Sequence, residues 1–66
     1  MQWAIRDLET GHFYAGRQWT SEVEFAQKFP DFESASGEAS YLQSTRIELV
    51  IVSKDGRVEG GARLGH

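Results

Sequence analysis

Histidine is the usual proton carrier near neutral pH, and this chain has two, His12 and His66. Neither has company: His12 follows Gly11 at an expected turn, His66 stands last, and no nucleophile or metal-ligand set is spaced around either. Gly60 and Gly65 have the glycine spacing of a phosphate-binding loop, but His66 occupies the lysine position, the Ser/Thr is missing and no helix follows. The serines form no Gly-x-Ser-x-Gly elbow. With no cysteine there is neither a thiolate nucleophile nor a thiolate zinc site. The residues therefore predict no catalysis, no metal and no cofactor.

Charge is the other chemistry available. Residues 21–40 hold Glu22, Glu24, Asp31, Glu33 and Glu38 against Lys28 alone, a net −4 that leaves the rest of the chain at +1. One reading is a solvated helix: Glu22 and Glu24 sit in a first turn where carboxylates suit the macrodipole, and Glu24 pairs with Lys28 at i,i+4. The other gathers all five into one negative face on two helices, shaped for a basic groove that normally holds phosphates. Duplex DNA carries one charge per roughly 1.7 Å, so five carboxylates would mimic only a few base pairs. The seven basic residues are scattered, which argues against direct binding of nucleic acid.

Sixty-six residues make one domain, and a chain this short buries only about 60% of its unfolded surface. Two Trp, four Phe and two Tyr supply the bulk such a core needs. The lack of cysteine fits a reducing cytoplasm. Neither a basic-then-apolar N-terminus nor a run of about 20 apolar residues is present, so neither secretion nor membrane insertion is expected.

The elements that must position these groups centre on Arg46–Ser53, the longest β-branched and aliphatic run. Ile47, Leu49 and Ile51 point one way and Glu48, Val50 and Val52 the other, so the strand needs cover on both sides or a central place in a sheet. Residues 2–8 alternate like a half-buried strand, Gly11 turns the chain, and His12–Gly16 returns, giving a hairpin. Ser21 with Glu24 reads as a capping box opening a helix that carries Val23, Ala26 and Phe29 inward and stops before Pro30. A second helix from about Ser34 or Ser36 carries Ala35, Ala39 and Leu42. Asp55-Gly56 suits a type I′ turn, and Val58 begins a short further strand. Three glycines within residues 60–66 predict a flexible tail. The expected fold is a single α+β domain over residues 1–59. Its antiparallel sheet has three strands, four with the one at Val58, and two helices lie on one face in the order β-β-α-α-β(-β). Trp3, Ile5, Trp19, Phe29, Leu42, Ile47, Leu49 and Ile51 are its expected core.

Trp3-Ala4-Ile5-Arg6, Thr10-Gly11-His12-Phe13-Tyr14, Trp19-Thr20, Ala26-Gln27-Lys28-Phe29, Ala39 and Leu42 together resemble short uncharacterised proteins of phages and mobile elements. The pattern spans about residues 3–52. Small acidic cysteine-free proteins of that setting are similar to anti-CRISPR inhibitors, though no site is carried over from them. The resemblance implies a non-enzymatic, monomeric or weakly dimeric inhibitor in the host cytoplasm. Its partner would be a basic nucleic-acid-handling complex such as a CRISPR effector, met through Glu22, Glu24, Asp31, Glu33 and Glu38. The alternative is a structural or assembly protein that self-associates through its sheet, using Val50 and Val52 as an open apolar pair.

Overall fold

Alternation along Gln2–Asp7 and Ile47–Val52 makes these the two central strands of the computed structural model, which describes residues 1–42 and 46–64. The elements run β1 (Gln2–Asp7), β2 (Phe13–Tyr14), β3 (Trp19–Thr20), a single 3-10 turn (Val23–Phe25), α1 (Phe32–Ala39), β4 (Ile47–Val52) and β5 (Val58–Leu64). All strand pairs are antiparallel, in the order β3-β2-β1-β4-β5. Trp3 faces Ile51, Ile5 faces Leu49 and Asp7 faces Ile47 across one side of the β1–β4 pair. Ala4 with Val50, Gln2 with Val52 and Arg6 with Glu48 occupy the other.

Each side has its own cover. On the first, α1 lays Ala35 and Ala39 beside Phe29, Ile5, Ile47 and Leu49, with Trp3, Tyr14 and Leu42 around them. On the second, Phe13, Val23 and Ala26 close over Ala4, Val50 and Val52. That double cover explains why β4 is apolar in both directions.

The expected two helices on one face are therefore corrected to one helix on one face and an irregular segment on the other, over five strands. Residues 21–29 contribute only one 3-10 turn. Glu22 takes its N-cap position without a side-chain cap bond, and its own N–H donates to Thr20 Oγ1 at 3.1 Å. The backbone beyond the turn is engaged in the sheet. Gln27 N–H donates to the Tyr14 carbonyl at 2.9 Å, and Phe29 exchanges two 2.8 Å hydrogen bonds with Trp3. The Phe29–Trp3 pair satisfies the edge of β1 beyond two-residue β2, and a helix over the same residues would leave that edge open. Lys28 Nζ donates to the Val23 and Ala26 carbonyls at 2.8 and 3.0 Å, replacing the expected pairing with Glu24.

α1 starts earlier than expected because Asp31, directly after Pro30, is its N-cap and accepts the Ser34 N–H at 2.7 Å. Two further expectations change at the C-terminal hairpin. Only Gly56 has positive φ there (81°), and Ser53 N–H donates to the Arg57 carbonyl, so the loop has three residues and is not a type I′ turn. The glycine-rich stretch expected as a tail is β5, which pairs with β4 from Gly60 opposite Ile51 to Leu64 opposite Ile47; between Ile51 and Val52 the register shifts, so that Val58 stands opposite Val52 and Glu59 is the extra residue. Gly65 and His66 lie outside the described residues. Gly61 has a packing reason: a Cβ there would stand 2.8 Å from the Leu49 carbonyl oxygen and 3.1 Å from Glu48 Oε2.

Of the expected core, Ile5, Phe29, Ile47 and Leu49 form one buried cluster with Trp3 and Leu42 against it, whereas Ile51 is half-buried and Trp19 is 39% exposed. Val50 and Val52, expected to lie open for self-association, are 0% and 1% exposed.

Candidate functional site

Trp19 is held outward by strand pairing. Gly16 turns the chain with φ 81°, Ala15 N–H closes the turn on the Gln18 carbonyl at 2.8 Å, and β3 sets Trp19 opposite Tyr14 and Thr20 opposite Phe13. The Trp19 ring meets the Tyr14 ring edge-on, with centroids 5.7 Å apart. After Thr20 the chain crosses onto the second face, with Val23 and Ala26 packed against the core and Phe25 66% exposed. Ala15, Gln18, Trp19, Thr20 and Phe25 line a surface recess at this edge of the sheet. Glu22 and Glu24, both exposed, flank Val23 on the way to Phe25. Two aromatic surfaces thus line this recess, on a segment that also carries the exposed Glu22 and Glu24 and holds the Lys28 ammonium on its Val23 and Ala26 carbonyls. Phe25 was missed by the sequence reading, which followed only the inward Val23, Ala26 and Phe29 of a helix that does not form. Trp19 was missed as well, because its exposure follows from an edge strand two residues long.

The five carboxylates expected on one face are divided. Glu22 and Glu24 belong to the segment covering the second face, together with Val23 and Ala26. Asp31, Glu33 and Glu38 belong to α1 and its cap, on the first. Two of those three are already engaged. Asp31 caps the helix, and the Ser34 N–H holds its carboxyl below the usual 3.8. Glu38 accepts the Tyr14 hydroxyl at 2.6 Å, and that bond, with burial and the nearby charge adding to it, holds the phenol above its usual 10.0. The division follows from the missing helix: a second helix beside α1 would have put all five on one side.

The remaining polar groups read as structural. Arg6 pairs with Glu48, its Nε donating to Oε1 at 3.1 Å, while its guanidinium lies 6.0 Å from the centre of the Phe13 ring. His12 is exposed in the β1–β2 turn, where its N–H donates to Thr10 Oγ1 at 3.2 Å. Among the described residues no three His, Asp or Glu side chains come together as a metal site, and no helix is long and apolar enough to cross a membrane. Comparison with family models, curated proteins and solved structures gives no match to this chain.

Proposed function

We propose that the chain is a non-enzymatic protein-binding module that docks through its β3 edge, with Trp19 and Phe25 as apolar anchors and Glu22 and Glu24 selecting a basic partner. The observation that carries this reading is Phe25, 66% exposed beside Trp19 at the one recess described on this edge. Aromatic side chains dominate binding energy where they fill a partner's pocket, and surrounding charges set orientation and on-rate. The inhibitor of a nucleic-acid-handling complex suggested by the sequence is a specific case: its partner's phosphate-binding surface would supply the basic groups. The acidic contribution then rests on Glu22 and Glu24, with Asp31, Glu33 and Glu38 outside the interface.

The test is retention of proteins from a host extract on the immobilised chain, comparing the parent with Trp19→Ala/Phe25→Ala and with Glu33→Lys. The parent and Glu33→Lys should hold the same basic protein and release it near 1 M salt, where the Debye length is about 3 Å. The double alanine variant should hold none of it while keeping the parental circular dichroism. Equal retention by the double variant would overturn the reading.

A further inference from the structure

The chain from Ser21 to Ala26 crosses from β3 to the second face on a single 3-10 turn, a short and weakly bonded unit. Phe25 N–H donates to the Glu22 carbonyl at 3.0 Å and Ala26 N–H to the Val23 carbonyl at 3.1 Å, and no side chain caps the start. Lys28 closes the turn from its far end. Its Nζ donates to the Val23 carbonyl at 2.8 Å and the Ala26 carbonyl at 3.0 Å, with a third, longer contact to the Glu24 carbonyl at 3.5 Å. An ammonium has three donors and no acceptor, so these carbonyls match it fully. They come from both flanks of Phe25, whose side chain stands 66% exposed between them. Lys28 is also the only basic residue in residues 21–40. With its ammonium on the backbone, neither Glu22 nor Glu24 has a salt bridge among the described residues.

We propose that Lys28 is the positioning residue of the docking edge: its ammonium clamps residues 22–26 in the conformation that presents Phe25 and leaves the Glu22 and Glu24 carboxylates to a partner. The use of Phe25 as an anchor rests on the docking reading above, whereas the clamp itself does not. A loop ordered before contact lowers the entropy lost on binding, so the clamp favours the complex without touching the partner. It also predicts a sign that charge alone does not. Against a basic partner, a lysine that acted only through its charge would repel, and removing that charge would tighten binding. A clamp has the opposite effect. Removing its donors frees the carbonyls on either side of Phe25, loosens the turn and weakens binding.

The chain has no cysteine, so Lys28→Cys introduces a single thiol that can be alkylated alone. Bromoethylamine forms an S–C bond with loss of bromide and rebuilds an ammonium at lysine length, whereas propyl bromide gives a neutral chain of the same length. Both fill the space of Lys28, and only the first can donate. Amide exchange by nuclear magnetic resonance then reads the turn with no partner present. The Phe25 and Ala26 N–H groups should exchange about tenfold faster in the propyl form and return to the parental rate in the aminoethyl form, because local opening of the turn sets that rate. The Trp3 and Phe29 N–H groups, each bonded to the other residue's carbonyl, should keep their parental rates in both forms. The protein that the parent retains from the host extract, once purified, is the binding probe. It should leave the propyl form about tenfold faster than the parent, and the aminoethyl form at the parental rate. Parental exchange in the propyl form, acceleration that spreads to Trp3 and Phe29, or a propyl form that binds as tightly as the parent or more so would overturn the proposal. If Trp19→Ala/Phe25→Ala retains the probe as well as the parent, or the parent retains none, the docking reading falls by itself and the exchange rates still decide the clamp.

Discussion

At the scale of single residues, burial separates side chains that the sequence treats alike. Leu49 and Ile51 share a predicted face, yet Leu49 is fully buried and Ile51 only half-buried. Leu49→Ala should cost roughly 2–5 kcal/mol, a large share of the stability of so small a domain. Ile51→Ala should cost less, and thermal melting of the two variants checks the order. A tie would place both side chains at the same depth. Tyr14 and Glu38 give a pH test. The bond to Glu38 raises the folded phenol's pKa above 10.0, so its contribution is fully present below that value and is lost as pH rises through the higher folded value. Tyr14→Phe should therefore lower the melting temperature at pH 7 and flatten its decline on the alkaline side. An alkaline limb identical to the parent's would remove this bond from the stability balance. Glu38 is also a poor choice for charge reversal as a surface residue, since Glu38→Lys takes away an acceptor.

Among the elements, α1 depends most on one side chain. Its eight residues include Gly37 and two serines, a weak helical composition, so the Asp31 cap and the packing of Ala35 and Ala39 must hold it. The Ser34 N–H lowers the Asp31 pKa below 3.8, so the cap's contribution is present above that value and is lost as pH falls through the lower folded value. Asp31→Ala should lower stability at pH 7 and flatten the acid limb of the melting profile. Asp31→Asn, which caps without ionising, should keep most of the stability at pH 7 with the same flattened limb. Retention of the full acid limb in Asp31→Asn would assign that limb to another carboxylate. This cap was not read from the sequence, where the helix was opened near Ser34 or Ser36, although an aspartate directly before Phe32 is a helix-start signal. The Ser21–Glu24 signal was visible, but it went unused because Gln27 and Phe29 have backbone partners in Tyr14 of β2 and Trp3 of β1.

For the whole molecule, the decisive feature is a sheet covered on both faces. Val50 lies at its centre with no exposed surface, beneath Phe13, Val23 and Ala26. Val50→Glu should therefore unfold the chain or cost several kcal/mol, because an unpaired charge would be placed in an apolar interior. Circular dichroism and melting check this, and a folded variant with parental stability would mean that the second face is open. The sequence by itself determined what depends on near neighbours: the β1–β2 hairpin turning at Gly11, the two-sided apolar β4, and the inward spacing of Ala35 and Ala39. Alternation and turn chemistry act over a few residues, so they can be read along the chain. Only the tertiary structure decided that Trp19 would pair as an edge strand, that residues 27–29 would extend the partner of β1, and that the glycines of residues 60–64 would lie against β4. Each of these satisfies backbone hydrogen bonds between segments far apart in sequence, where local propensity carries no information about which partner is waiting. The division of the acidic residues follows from the same cause, because the face on which Glu22 and Glu24 lie was set by the backbone pairing of Phe29 with Trp3.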